Sequence, residues 1–210
     1  FPYSALFRSR LVRWHYQWII LREFLPEVIG DALTDALLVG GSRYYRPAAD
    51  PFIPLEFADA AYRYGHGQLR ESYRVRPGDP PVPLFPDLVG FRPVPASRVV
   101  DWGEFFDRPG RGPAQRAKKI DGRLCSSIMQ LPHALTGDVE VEAFHSLAAR
   151  DLQRGHAVGL PSGEPIARHI GATPLTREQT GLGSMGWDRE TPLWYYVLKE
   201  SEVQSNGDRL

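Results

Sequence analysis

Apolar residues recur at helical spacing in separated blocks of the chain. Over residues 5–25, Leu11, Trp14, Trp18 and Leu25 form one apolar ridge, which predicts a long amphipathic helix stopped by Pro26. GDALTDALLVGG, residues 30–41, predicts a short helix closed by paired glycines. YYRPAADPFIP then reads as a proline-rich connector, with Pro54 suited to the first turn of a helix over about 55–73. Prolines are dense between Pro77 and Pro95, which leaves no room for a long helix or a central strand. Leu84, Phe85, Leu88, Val89 and Phe91 are too apolar for a solvated tether, so this stretch reads as a loop packed across the surface.

Further along, Asp101 has the character of an N-cap for WGEFFD. Helices are expected over 114–131, broken around Gly122, and over 139–154, with short ones near 164–170 and 192–204. Alternating β-branched runs are missing. The expected fold is mainly α, with long irregular connections and little or no β, in one domain over residues 1–210.

Charge narrows the function classes. Lys and Arg total 25 against 25 Asp and Glu, and this balance argues against a nucleic-acid binder, which would carry a basic surplus. No apolar run approaches a membrane span: Trp18–Leu21 is bounded by Arg13 and Arg22. Cys125 is the single cysteine, so an intrachain disulfide and a cysteine zinc cluster are both excluded, and the compartment stays open. The chain runs from FPYSALF to NGDRL without an initiator methionine, and reads as cut at both ends.

The six histidines form no H-E-x-x-H or other close ligand pair. GLGSMG, residues 181–186, has the lettering of a dinucleotide loop but follows no strand, and GLPSG lacks the spacing of a nucleophile elbow. His66 is different. In AYRYGHGQLRESYR it stands between Gly65 and Gly67, each costing about 1 kcal/mol relative to alanine in a helix interior. On a helix, Arg63 and Tyr62 would share its face, and Tyr73 would lie two turns on. A flat ligand needing an axial nitrogen and carrying rim carboxylates would account for imidazole, glycines and arginine together. A tight helix crossing would account for the glycines alone. In LAARDLQRGHAVGLPSG, Asp151 and Arg154 repeat the three-residue spacing. Asp151 is either the acceptor that a metal-bound histidine needs for its other N–H, or half of a solvated ion pair with Arg154.

AYRYGHGQLRESYR resembles the proximal-histidine helix of the animal-type haem peroxidases, whose motif runs (F/Y)-R-(Y/F)-G-H. ARDLQRGHAVGLPSG resembles the later family segment in which N-x-x-R precedes G-L-P. LVRWHYQWIILREFLPEVIG and the terminal GDRL are similar to two further family segments, in the right order, and the likeness is greatest to the bacterial branch. The resemblance implies a multi-helix haem peroxidase fold, of which residues 1–210 are the proximal-side portion of a catalytic domain. It implies His66 as the axial ligand of haem b, Arg63 and Arg154 as propionate partners, and Gly65 and Gly67 as flanks of the cofactor site. Asp151 falls where the family has an asparagine bonded to the proximal imidazole; a carboxylate there would give the imidazole more anionic character.

The distal histidine, distal arginine, calcium loop and ester-forming carboxylates of the family lie before the long first helix. No catalytic residue is therefore assigned in this chain, and His15 is not drafted for the role. Calcium is expected only in the missing half. The Trp14–Trp18 helix, which packs on that half in the family, is expected to expose apolar surface. The implied partners are haem, hydrogen peroxide, a small-molecule electron donor (halide or organic) and the N-terminal half of the domain, with an extracellular setting favoured by the family. The alternatives are a haem-binding or sensing module that has lost catalysis, and a helical structural domain without haem.

Overall fold

The computed structural model describes residues 2–46, 50–90 and 92–210. Among them the chain is mainly helical, and its one sheet pairs two residues with two, Ser72–Tyr73 (β1) antiparallel to Val82–Pro83 (β2). No described helix is long and apolar enough to cross a membrane.

Helix α1 spans Pro2–Ile19, but Pro26 does not stop it. The backbone widens into a π-turn at Ile20–Phe24, in which the Leu25 N–H donates to the Ile20 carbonyl, and continues as α2, Leu25–Ile29. Proline lacks an N–H and its ring clashes with the carbonyl four residues back; a widened turn just before it relieves both. Gly30, at φ 84°, ends the run, and α3 follows over Asp31–Gly40 before Gly41 at φ 72°. The Leu11, Trp14 and Trp18 ridge stands in solvent, with Trp14 60% exposed.

The helix expected over 55–73 is short and changes type. Helix α4 covers Leu55–Asp59, Ala60 leaves helical geometry at φ −132°, and Ala61–Gln68 continues as a 3₁₀ helix. Two carbonyls of this second segment are claimed by other elements. Arg63 O accepts from Trp194 Nε1 at 3.1 Å, and Gly67 O accepts from Lys118 Nζ at 2.7 Å. In a 3₁₀ helix residues three apart eclipse, so Arg63 and His66 stay aligned while Tyr62 does not share their face. Tyr62 is exposed and packs on Phe57. Tyr73 is not two turns further on: it lies in β1, its hydroxyl accepting from the Arg70 N–H.

The proline-dense stretch packs across the surface through β2, with Val82 fully buried and Leu84, Phe85, Leu88 and Val89 partly so; Phe91 lies outside the described residues, as do 47–49 of the earlier connector. Asp101 does act as a cap, accepting from the Gly103 N–H at 2.9 Å. The helix expected over 114–131 is absent except for α5, Ser126–Met129. Its backbone groups are bonded elsewhere: Gln115 N–H to Glu104 O, Ile120 N–H to Gly207 O, and Arg116 and Lys118 carbonyls to Arg70 and Gln68. The helix expected over 139–154 is displaced. A four-residue helix α6 at His133–Thr136 and a 3₁₀ turn at Glu142–His145 precede it, and Ser146 caps α7, Leu147–Ala157.

Helices α8 (Gly163–Ile170), α9 (Arg177–Thr180) and α10 (Leu193–Ser205) complete the fold. The core lies along α10, where Leu193, Trp194 and Leu198 pack with Ala60 and Ile120. Tyr196 from the same helix closes on α8 so tightly that a Cβ at Gly163 would stand 1.9 Å from its ring. Helix α10 thus supports both the Ala61–Gln68 segment and α7. GLGSMG forms a 3₁₀ turn after α9, with no strand before it, so it is not a dinucleotide loop.

Candidate functional site

Four charged side chains and one imidazole converge where α4, the 3₁₀ segment and α7 meet. His66 Nδ1 lies 2.5 Å from Asp151 Oδ2, across 85 residues of sequence. Asp151 is 2% exposed and His66 about a quarter. An ionised carboxylate only accepts, so Nδ1 is the donor, and in the neutral imidazole this puts the lone pair on Nε2. Asp151 Oδ1 faces Arg63 Nη1 at 3.6 Å, and Arg63 Nη2 bonds Asp59 Oδ1 at 3.2 Å. Arg154 reaches the same Asp59 oxygen from α7, Nε at 3.7 Å, while remaining more than half exposed.

The local sequence explains the convergence. Ser146 fixes the start of α7, which turns Asp151 inward. The Trp194 indole and the Lys118 ammonium hold the backbone on either side of His66. Between Arg63 and Gly65, Tyr64 packs on the core; burial, with Tyr62 adding to it, pushes its phenol above the ordinary value, so it is a neutral hydroxyl at neutral pH.

The two glycines differ. A Cβ at Gly67 would stand 3.1 Å from both Asp121 O and Leu198 Cδ2, so its smallness admits protein. A Cβ at Gly65 would meet nothing within 4 Å. Arg63 Nε is buried without a hydrogen-bond partner. A cleft of about 420 Å³ beside α7 has Asp151, His156, Trp187 and Trp194 among its walls, and His66 is not one of them. Among the described residues no group of three or more His, Cys, Asp or Glu is placed to hold a metal ion.

Of the residues singled out by sequence, His66 and Arg63 thus both meet Asp151, and Arg154 joins them through Asp59. His15 sits apart on α1, stacked on Trp18. Asp59 and Trp194 were not flagged by any motif. Asp59, four residues before Arg63, reads in sequence as an ordinary surface pair, and nothing around Trp194 signals its bond to Arg63.

Comparison with known proteins places the helical chain in a family. The family model for the animal haem peroxidases matches residues 9–180. This chain belongs to that family. Two proteins of Caenorhabditis elegans are similar to it: peroxidase mlt-7, 24% identical over 172 residues, and peroxidase skpo-1, 28% identical over 163. Those alignments cover 77% and 76% of this chain but 21% and 22% of the relatives, so the chain spans about a fifth of their length. No solved structure matches it.

Proposed function

We propose that this chain forms the proximal side of a haem peroxidase site, with His66 Nε2 as the axial ligand of haem b. The observation that carries the reading is the pairing of His66 Nδ1 with the buried Asp151 carboxylate, which leaves Nε2 free to coordinate. Three features support the fit: the clearance beside Gly65, the partnerless Arg63 Nε, and a second arginine, Arg154, at the rim. Gly67 contributes by letting the 3₁₀ segment seat against Asp121 and Leu198.

Bound haem supplies the oxidising chemistry toward hydrogen peroxide. The residues here orient and tune. Asp151 holds the imidazole in one tautomer and raises its donor strength, as carboxylates behind metal-bound histidines do. Arg63 and Arg154 offer guanidinium groups to the propionates. The donor is a halide or a small organic molecule, and an extracellular setting accords with the family.

Titration of haem into the protein tests the reading. One equivalent should bind with the spectrum of a five-coordinate, histidine-ligated ferrous form, whereas no uptake would support a purely structural helical domain. Peroxide-dependent oxidation of an organic donor by the haem-loaded protein would support the enzyme over a sensing module.

A further inference from the structure

We propose that Asp59 sets the donor strength of His66 by drawing the Arg63 guanidinium away from Asp151. This rests on the reading of His66 as an axial ligand. Arg63 stands between two carboxylates, Asp59 Oδ1 at 3.2 Å and Asp151 Oδ1 at 3.6 Å, and both acids are nearly inaccessible to water. Charges so placed are screened little, so each carboxylate competes for one guanidinium. The nearer and better hydrogen-bonded partner is Asp59. Whatever charge Arg63 spends on Asp59 is not spent on Asp151, whose other oxygen receives the His66 proton. Arg154 completes the balance: at 3.7 Å it competes with Arg63 for Asp59.

The order Arg154–Asp59–Arg63–Asp151–His66 is therefore a relay of alternating charge ending on the imidazole. Asp59 touches neither ligand nor imidazole and is a positioning residue. Neutralising it turns the whole guanidinium charge toward Asp151, weakens that carboxylate as an acceptor, and makes His66 a poorer donor. Neutralising Arg154 does the reverse, because Asp59 then holds Arg63 harder.

Asp59→Asn is the direct test, since the amide oxygen can still accept from Arg63. In the haem-free protein labelled with ¹⁵N-histidine, the proton on His66 Nδ1 should move upfield in Asp59→Asn and downfield in Arg154→Gln. These shifts need no haem, so they stand or fall separately from the axial-ligand reading. In the haem-loaded ferrous protein, Asp59→Asn should lower the iron–histidine stretching frequency and raise the ferric/ferrous potential. In an Asp151→Asn background the same change should leave the stretching frequency where it was. A raised potential with an unmoved stretch would mean a through-space charge effect and would overturn the relay. So would an unmoved or same-direction Nδ1 proton in the two haem-free variants; should Asp59→Asn fail to fold, an unmoved or upfield Nδ1 proton in Arg154→Gln alone, at a half-exposed residue, overturns the relay.

Discussion

His66 and Asp151, 85 residues apart, meet through Nδ1 and Oδ2 at 2.5 Å, with the carboxylate almost wholly buried. A buried carboxylate against a partly buried imidazole fixes which nitrogen of the neutral ring is available, and makes that nitrogen more basic toward a metal than an amide partner would. Asp151→Asn should therefore raise the ferric/ferrous potential of the haem-loaded protein and lower its iron–histidine stretching frequency. Redox titration and resonance Raman spectroscopy check this. Identical potentials in the two proteins would reduce Asp151 to an ion-pair partner of Arg63.

The arginines should separate in strength. Arg63 is three-quarters buried with an unused Nε, whereas Arg154 is more than half exposed. A hydrogen bond to a charged group contributes about 1.5–3 kcal/mol when sheltered, so Arg63→Ala should weaken haem binding roughly 10- to 150-fold. Arg154→Ala, at an exposed pair worth under about 1 kcal/mol, should cost at most about fivefold. Equilibrium haem titrations give both ratios, and equal losses would contradict the assignment.

The glycines make a second separable pair. Gly65→Ala meets no protein atom, so its melting temperature should hold or rise, by about 0.4–1 kcal/mol of stability, while haem affinity falls. Gly67→Ala meets Asp121 O and Leu198 Cδ2 at 3.1 Å and should destabilise the fold by about 1–3 kcal/mol even without haem. Melting curves with and without haem distinguish the two.

Two glutamates should carry opposite pH dependences. Hydrogen bonds from Ser127 first, and from Ser126, hold Glu71 below the ordinary carboxylate value, while burial pushes Glu200 above it. The stabilisation by Glu71 is present at neutral pH and lost as pH falls through its lowered value; Glu71→Gln should thus cost stability at pH 7 and nothing in strong acid. Glu200 bears a penalty once it ionises, so Glu200→Gln should stabilise at pH 7, with the gain vanishing below the ordinary glutamate value. Melting temperatures across pH 3–8 read both signs.

How far sequence alone reaches is clear from particular residues. The terminal helices and Gly41 were legible because caps and spacing are local signals. The R-Y-G-H and D-x-x-R segments marked His66, Arg63, Asp151 and Arg154 as one constellation through family resemblance. Their contact is a tertiary fact with no local trace. The 114–125 stretch misled because Ile120 and Leu124 fit helical spacing, while its backbone hydrogen bonds go to Glu104, Gly207, Arg70 and Gln68. The change to 3₁₀ geometry at Ala61 escaped for the same reason: Trp194 and Lys118 claim its carbonyls from more than 50 residues away.

The axial ligand is tested most directly by the Soret and visible spectra of His66→Ala titrated with haem, beside the parent protein. The variant should lose the five-coordinate histidine spectrum, and imidazole added to the solution should restore part of it by occupying the vacated position. A spectrum unchanged by the substitution would place the ligand elsewhere and contradict the account.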